Sequence, residues 1–280
     1  MEVTVENYIN QKLKIDYPDY QITNIQGLTP SGATINTSGA GIVDGTFYNS
    51  SYVNQRNIVI TVVPEGNAER ARLNLYRYFQ PKRKIRLFFK TETRDVYIDG
   101  YVESFEGSLY SEKQTFQISV ICPQPFFTEI SPTIVYQSFV HDYFTFPFST
   151  PEEGIILSSI DSNGIAEVVN EGDETTGFVI TLEATSNVIE PTIYNKTTRE
   201  TFTFQDELLK GDVVVIDTRR GQKTIIKKRA STTTNLINNI TKDSRWITLA
   251  PGQNDLTYSC IYGEQNLNVS YSVYPLYEGV

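Results

Sequence analysis

Residues Asn67 to Phe105 read NAERARLNLYRYFQPKRKIRLFFKTETRDVYIDGYVESF, and three physical signals succeed one another in them. The first is a helix. Asn67 can cap its first turn, and Ala68, Ala71, Leu75, Tyr78 and Phe79 recur at helical spacing along one face. Pro81 ends it, because proline has no N–H to give and its ring clashes with the preceding turn. The second signal, Lys84 to Lys90, has the mixed pattern of a strand. The third, Val96 to Phe105, alternates around Asp99-Gly100 and leaves two readings open: two short strands joined by a turn, or a single strand with a bulge.

The same stretch is electrically unusual. From Arg70 to Arg94 there are nine bases (Arg70, Arg72, Arg77, Lys82, Arg83, Lys84, Arg86, Lys90 and Arg94) and one acid, Glu92, a net +8. The whole chain carries −9, so everything outside this segment carries −17. A basic belt on an acidic molecule is either a solvated face or a contact surface for an acidic partner, a second copy of the chain included. Nucleic acid is the lesser reading, since a net-negative body repels phosphate at long range.

At 280 residues two domains are expected. Hydrophobic residues make up 39% and charged residues 20%, a globular balance that excludes disorder. Tyr and Phe among many Thr, Ile and Val favour strands. The N-terminal MEVTVENYINQKLKI lacks the apolar core of a signal peptide, and no apolar run approaches the ~20 residues that cross a bilayer. A soluble protein made in a cytosol is expected, with no membrane partner. Cys122 and Cys260 lie far apart among strand-like residues and read as two reduced, buried thiols.

Along the chain, residues 1–20 give little. Tyr20 to Leu28, Phe47 to Ser51, Asn57 to Val63 and Gln114 to Ile121 read as strands, with Ser31 to Ser38 an edge strand or an ordered loop. Asp44-Gly45 is a turn signal, and Cys122-Pro123-Gln124-Pro125 breaks regular structure. A first domain is placed at 1–131: mainly β, with one helix. Pro132 to Phe148 reads as an inter-domain strand or connector. In the second domain, 132–280, helical periodicity is absent. Phe178 to Ala184 and Leu267 to Val273 alternate cleanly. Thr192–Tyr194 and Glu200–Phe204 form a hairpin across Lys196-Thr197-Thr198, and Val213–Asp217 and Lys223–Lys227 another across Arg219-Arg220-Gly221. Many short strands with turn chemistry between them indicate a β-sandwich.

Chemistry is sparse. One histidine, His141, rules against histidine acid–base catalysis and a multi-histidine metal site, and it reads as structural. No nucleophile elbow, phosphate-cradling loop or Cys-x-x-Cys occurs. Asp161-Ser162-Asn163-Gly164 reads as a tight turn rather than a calcium loop. Glu171, Asp173 and Glu174 read as an acidic loop, with a weak cation site as the alternative. No cofactor, metal or catalytic residue is therefore expected. Trp246, the only tryptophan, reads as partly buried packing beside Ile247 and Leu249; the alternative is a platform that stacks a sugar.

The order and spacing of several short stretches resemble the distal tail proteins of long-tailed, non-contractile bacteriophages. In the first domain these are Gly27-Leu28-Thr29-Pro30-Ser31-Gly32-Ala33, Asp44-Gly45-Thr46-Phe47-Tyr48-Asn49-Ser50, Arg56-Asn57-Ile58-Val59-Ile60, Leu75-Tyr76-Arg77-Tyr78-Phe79-Gln80-Pro81-Lys82, Ile98-Asp99-Gly100-Tyr101-Val102-Glu103 and Cys122-Pro123-Gln124-Pro125-Phe126-Phe127. In the second they are Asn170-Glu171-Gly172-Asp173, Pro191-Thr192-Ile193-Tyr194-Asn195, Gly211-Asp212, Ile216-Asp217-Thr218 and Pro251-Gly252-Gln253-Asn254.

The resemblance implies a split β-barrel with a helix at 1–131 and a galectin-like β-sandwich at 132–280. It implies a virion protein whose first domains close into a ring, usually a hexamer, at the tip of the tail tube. Such a ring joins the tube to the tail-tip protein, holds receptor-binding components outside and lets DNA pass only as cargo. The galectin likeness is architectural, because the histidine- and arginine-bearing sugar motif of galectins has no counterpart here. A heterologous ring contact suits complementary charges, so Arg72, Arg77, Lys82, Arg83 and Lys84 are expected to meet acidic surface on a neighbour or on the tube. The competing reading is a cell-wall carbohydrate-binding protein that uses the sandwich and Trp246.

Overall fold

The computed structural model describes the chain except residues 40, 42–43, 112, 138–139, 143–157 and 161–163, with 140–142 and 158–160 described in backbone only. The expected roles of the His141 side chain and of Asp161-Ser162-Asn163 fall outside the described residues. The chain packs as two units, Met1–Ser131 with Leu276–Val280, and Pro132–Pro275.

The first unit is one curled antiparallel sheet around a helix. Its strands run in the order Lys12–Lys14, Glu2–Glu6, Lys84–Lys90, Asp95–Gly107, Phe116–Cys122, Arg56–Pro64 and Tyr20–Gln26. Period-2 alternation decides which face is buried. Ile58, Ile60 and Val62 point inward opposite Val120, Ile118 and Phe116, and Leu87 and Ile98 pair one strand pair further on. Residues 1–20, uninformative in sequence, supply two strands of this sheet.

The third signal of the opening stretch resolves as a single 13-residue strand, Asp95–Gly107. Its irregularity lies between Val102 and Ser104, where the register against Phe116–Cys122 shifts. Asp99-Gly100 is mid-strand and not a turn. Gly100 faces inward, and a Cβ there would come within 2.6 Å of Val120 Cγ1 and 2.9 Å of Cys122 Sγ. Glycine is needed for packing density, not for a bend.

Helix α1, Ala68–Tyr78, begins where Asn67 Oδ1 accepts from the Arg70 N–H at 3.1 Å. It buries Ala71 and Leu75 against the sheet, with Phe79 at its end. It stops ahead of Pro81, consistent with the bias of a pre-proline residue away from helical backbone. The sheet does not close, since its end strands Lys12–Lys14 and Tyr20–Gln26 do not pair with each other. α1 bonds to both. Tyr78 donates its hydroxyl proton to the Lys12 carbonyl at 3.3 Å, and Tyr20 donates to the Ala71 carbonyl at 3.2 Å. The helix thus spans the split of a split barrel.

The sequence gives no sign that the last five residues leave the second unit, where 132–280 was placed. They return to the first: Tyr277 pairs with Phe127, in a strand, Phe127–Glu129, that itself pairs with Asp95–Gly107. Arg56, 3% exposed, holds this return. Its guanidinium donates to the carbonyls of Pro125 (2.6 Å), Gly27 (2.5 Å), Thr29 (2.6 Å) and Glu278 (2.5 Å), and lies 4.6 Å from the Phe127 ring centroid.

The second unit is a sandwich of two antiparallel sheets, which fits the galectin-like expectation. One has the order Thr133–Gln137, Leu267–Val273, Phe178–Ala184, Val213–Asp217, Thr224–Arg229 and Thr232–Asn235. The other has Ala166–Asn170, Gly252–Tyr262, Val188–Asn195 and Glu200–Thr203, with Glu207–Leu208 beside the third. Inward residues of both, among them Ile180, Leu182, Ile193, Phe202, Leu256 and Tyr271, form one core. Both expected hairpins form, with Ile193 opposite Phe202 and Val215 opposite Ile226. Where Pro132 to Phe148 is described, Thr133–Gln137 is an edge strand paired with Leu267–Val273.

Candidate functional site

The basic belt is sorted by strand register. Lys84–Lys90 and Asp95–Gly107 pair so that Arg86 stands opposite Asp99. Arg86 binds Asp99 through two nitrogens, at 2.6 and 3.0 Å, and stacks 4.1 Å from the Tyr97 centroid. Lys84 joins the same carboxylate at 3.0 Å, and Lys90 pairs with Asp95 at 3.8 Å. Burial pushes the Asp99 carboxyl up, but the hydrogen bonds from Arg86 and Lys84 outweigh it and hold the group below its ordinary value. Arg94 donates to the Gly279 carbonyl and stacks on Tyr277.

Much of the belt therefore serves the first unit itself. Of the five bases expected to meet a neighbour, Arg72 is turned inward: Nη1 lies 3.5 Å from Gln114 Oε1, and Nε is buried with no hydrogen-bond partner. Lys84 is engaged by Asp99. Arg77, Lys82 and Arg83 are exposed and, among the described residues, form no ion pair, although Arg83 lies over the Tyr8 ring at 4.8 Å. Lys82 has φ +67°, in a turn fixed by its N–H on the Val102 carbonyl.

Two features of the first unit present large apolar side chains at the surface, a placement that the strand signals at Ser31–Ser38 and Phe47–Ser51 and the turn signal at Asp44-Gly45 do not mark. One is a two-stranded ribbon, Ala33–Gly39 paired with Thr46–Val53, that among the described residues joins no larger sheet. Ile35, Phe47, Tyr48 and Tyr52 on it are 64%, 65%, 66% and 58% exposed. The other is a groove of about 270 Å³ lined by Tyr76, Pro81, Phe105, Leu109 and Phe116. Tyr76 meets Phe105 edge to face at 4.9 Å and 77°, and Phe105 lies tilted at 42° to Phe116. Gly107 makes room for them, because a Cβ there would lie 2.2 Å from Phe116 Cδ1. The available signal was Phe47-Tyr48 and Tyr52 set among small polar residues, with no alternating core pattern to absorb them.

Trp246 in the second unit is half-buried, packed on the core with its ring 5.1 Å from Phe202, and Lys223 Nζ lies 5.5 Å from its centroid. Cys122 is buried and Cys260 half-buried, and burial pushes both thiols up to about 12. The acidic loop at Glu171 is folded around Asn170, which accepts from the Gly172 N–H at 3.0 Å and donates to the Glu174 carbonyl at 2.9 Å. Among the described residues no three His, Cys, Asp or Glu side chains stand close enough to hold a metal ion.

The sequence matches two family models that between them cover most of the chain: a phage tail protein RIFT-related domain at residues 8–122, and the C-terminal domain of the siphovirus-type tail component at 171–273. The chain belongs to the distal tail protein family of long-tailed, non-contractile phages. It is a structural component of a phage tail, and so of the virion. No curated protein matches it by sequence. In fold it is similar to the SPP1 distal tail protein, whose crystal structure is described as a paradigm of the hub adsorption apparatus in phages infecting Gram-positive bacteria. The TM-score is 0.70 at 11% identity, covering 97% of this chain and 98% of that one. It is also similar to a chain of the phage p2 baseplate in its activated conformation, in structures with calcium and with strontium. Each gives a TM-score of 0.57 at 12% identity, covering 100% of this chain and 99% of that one. Across so distant an identity, the split barrel and the sandwich are what is shared.

Proposed function

We propose that copies of this distal tail protein close through their first units into a ring, six copies in number, at the end of the tail tube. The ring joins the tube to the tail-tip protein, carries receptor-binding components outside and lets DNA pass as cargo. The chain is made in the host cytoplasm before it enters the tail. The observation that carries this reading is the division of charge: among the described residues Arg77, Lys82 and Arg83 stand exposed without ion pairs, on a chain that is otherwise strongly acidic. A basic face cannot pair with itself, so it favours a head-to-tail contact with a different face of the next copy, the kind of contact that closes rings.

Native mass spectrometry of the full chain at low and high salt tests this. A closed oligomer is expected, with Arg77→Ala, Lys82→Ala and Arg83→Ala together weakening its assembly about tenfold at low salt, from three rim charges of roughly 0.5 kcal/mol each. The difference shrinks at high salt. Assembly indifferent to both the substitutions and salt would refute the role of these bases, and a monomer at all concentrations, with and without tail partners, would refute the ring.

A further inference from the structure

Resting on that ring reading, we infer that the Ala33–Val53 hairpin of one copy seats its aromatic side chains in the Tyr76–Phe105–Phe116 groove of the next copy. The hairpin is an isolated two-stranded ribbon, a form marginal in water without a covering surface. Cross-strand register puts Ile35 and Tyr48 on one face and Phe47 and Tyr52 on the other, so each face carries two large exposed side chains among Thr, Ser and Asn. The four side chains expose roughly 400–500 Å² of mostly apolar surface, at the upper end of what a lone soluble protein carries.

The groove is the complement. It is concave, its lining side chains are aromatic and aliphatic while backbone and the Tyr76 hydroxyl add polar surface, and at about 270 Å³ it is larger than the roughly 150 Å³ that holds a benzene ring. Hairpin and groove are both bare in the same chain, so neither satisfies the other within one copy, and the occupant has to come from another molecule. A second copy fits by charge. From Ala33 to Val53 the only charged side chain is Asp44, and there is no base. Lys82 follows Pro81 of the groove wall and is exposed, with no ion pair among the described residues, so the charge beside the groove is opposite to that of the hairpin. Because donor and acceptor are different surfaces of one chain, each copy gives its hairpin forward and receives one from behind, and the series closes on itself.

Disulfide trapping tests the contact in the full-length chain. A Phe47→Cys chain mixed with a Leu109→Cys chain and mildly oxidised is expected to yield a linked dimer that neither variant yields alone. The double variant is expected to yield a ladder ending at the ring. Cys122 and Cys260 stay silent because their thiols are held up near 12. As a second readout, Phe47→Ser with Tyr48→Ser should weaken assembly about tenfold or more while leaving the melting temperature of the dissociated monomer, measured at high dilution, unchanged, since exposed aromatics at a contact act on association. A native oligomer without the mixed link overturns the insertion and leaves the ring reading standing. A disulfide within one chain of the double variant, or a link from Phe47→Cys to the tube protein in assembled tails, overturns the choice of occupant. Absence of any oligomer of the unmodified chain, with and without its tail partners, refutes the ring reading and the insertion together.

Discussion

Replacing Arg56 with Met keeps the length of the stem and removes every donor. The Pro125, Gly27, Thr29 and Glu278 carbonyls then lose bonds of 2.5–2.6 Å. A hydrogen bond from a charged donor contributes about 1.5–3 kcal/mol net. Three of these four are only part-buried, so water replaces some of them, and removing the cation also lifts its desolvation penalty. Burial does disfavour the charge, holding the Arg56 pKa below the ordinary guanidinium value. Taking about 1 kcal/mol per bond, with a little more from the lost stacking on Phe127, gives a loss of about 4 kcal/mol. In a unit of this size that lowers the melting temperature by about 10–15 °C. Differential scanning calorimetry of the full chain is the assay, and the transition of the first unit is the one that moves. Arg56→Lys, which keeps the charge but not the planar fork, recovers less than half of the loss. A shift below about 2 °C, or an equal shift in the second unit, would refute the assignment of Arg56 as a main tie, beside Arg94, of Leu276–Val280 to the first unit.

Gly100→Ala is expected to cost about 1–3 kcal/mol in urea unfolding, because its methyl group meets Val120 Cγ1 and Cys122 Sγ inside 3 Å. The Asp99 carboxyl is held below its ordinary value in the fold, so its contribution to stability is present above about pH 4 and is lost as pH falls through the lowered value. Asp99→Asn removes that acid-side loss, which stability measured against pH would reveal. A thiol reagent at pH 8 should leave Cys122 unmodified in the native protein and label it fully in denaturant, since the buried thiol is pushed up to about 12.

What the sequence made legible was local. Asn67, the Ala71–Leu75 spacing and Pro81 carry a helix within 15 residues, and the alternation of Phe178 to Ala184 and Leu267 to Val273 carries two strands to the residue. What it hid was long-range. The pairing of Phe127 with Tyr277 spans 150 residues and leaves no periodic mark. The partners of Arg56 are carbonyls, which every residue has, so nothing in the side-chain order points to them. Asp99-Gly100 left a turn and a bulged single strand equally open, because dense packing and tight bends both select glycine; the single strand is what forms, with its irregularity two residues on. The basic belt was visible, but its neutralisation was not. Arg86 meets Asp99 through hairpin register, and knowing that turn at Thr91–Arg94 would have separated the paired bases from Arg77, Lys82 and Arg83. The strands of the aromatic ribbon were legible, but the exposure of its side chains was not, because exposure is a property of the sheet it fails to join.

Cryo-electron microscopy of intact tail tips tests the central claim most directly. A closed ring of six copies of this chain, coaxial with the tube and sealed by contacts between first units, is the predicted result. Isolated copies attached to the outside of the tip, with no contact between neighbouring first units, would contradict it.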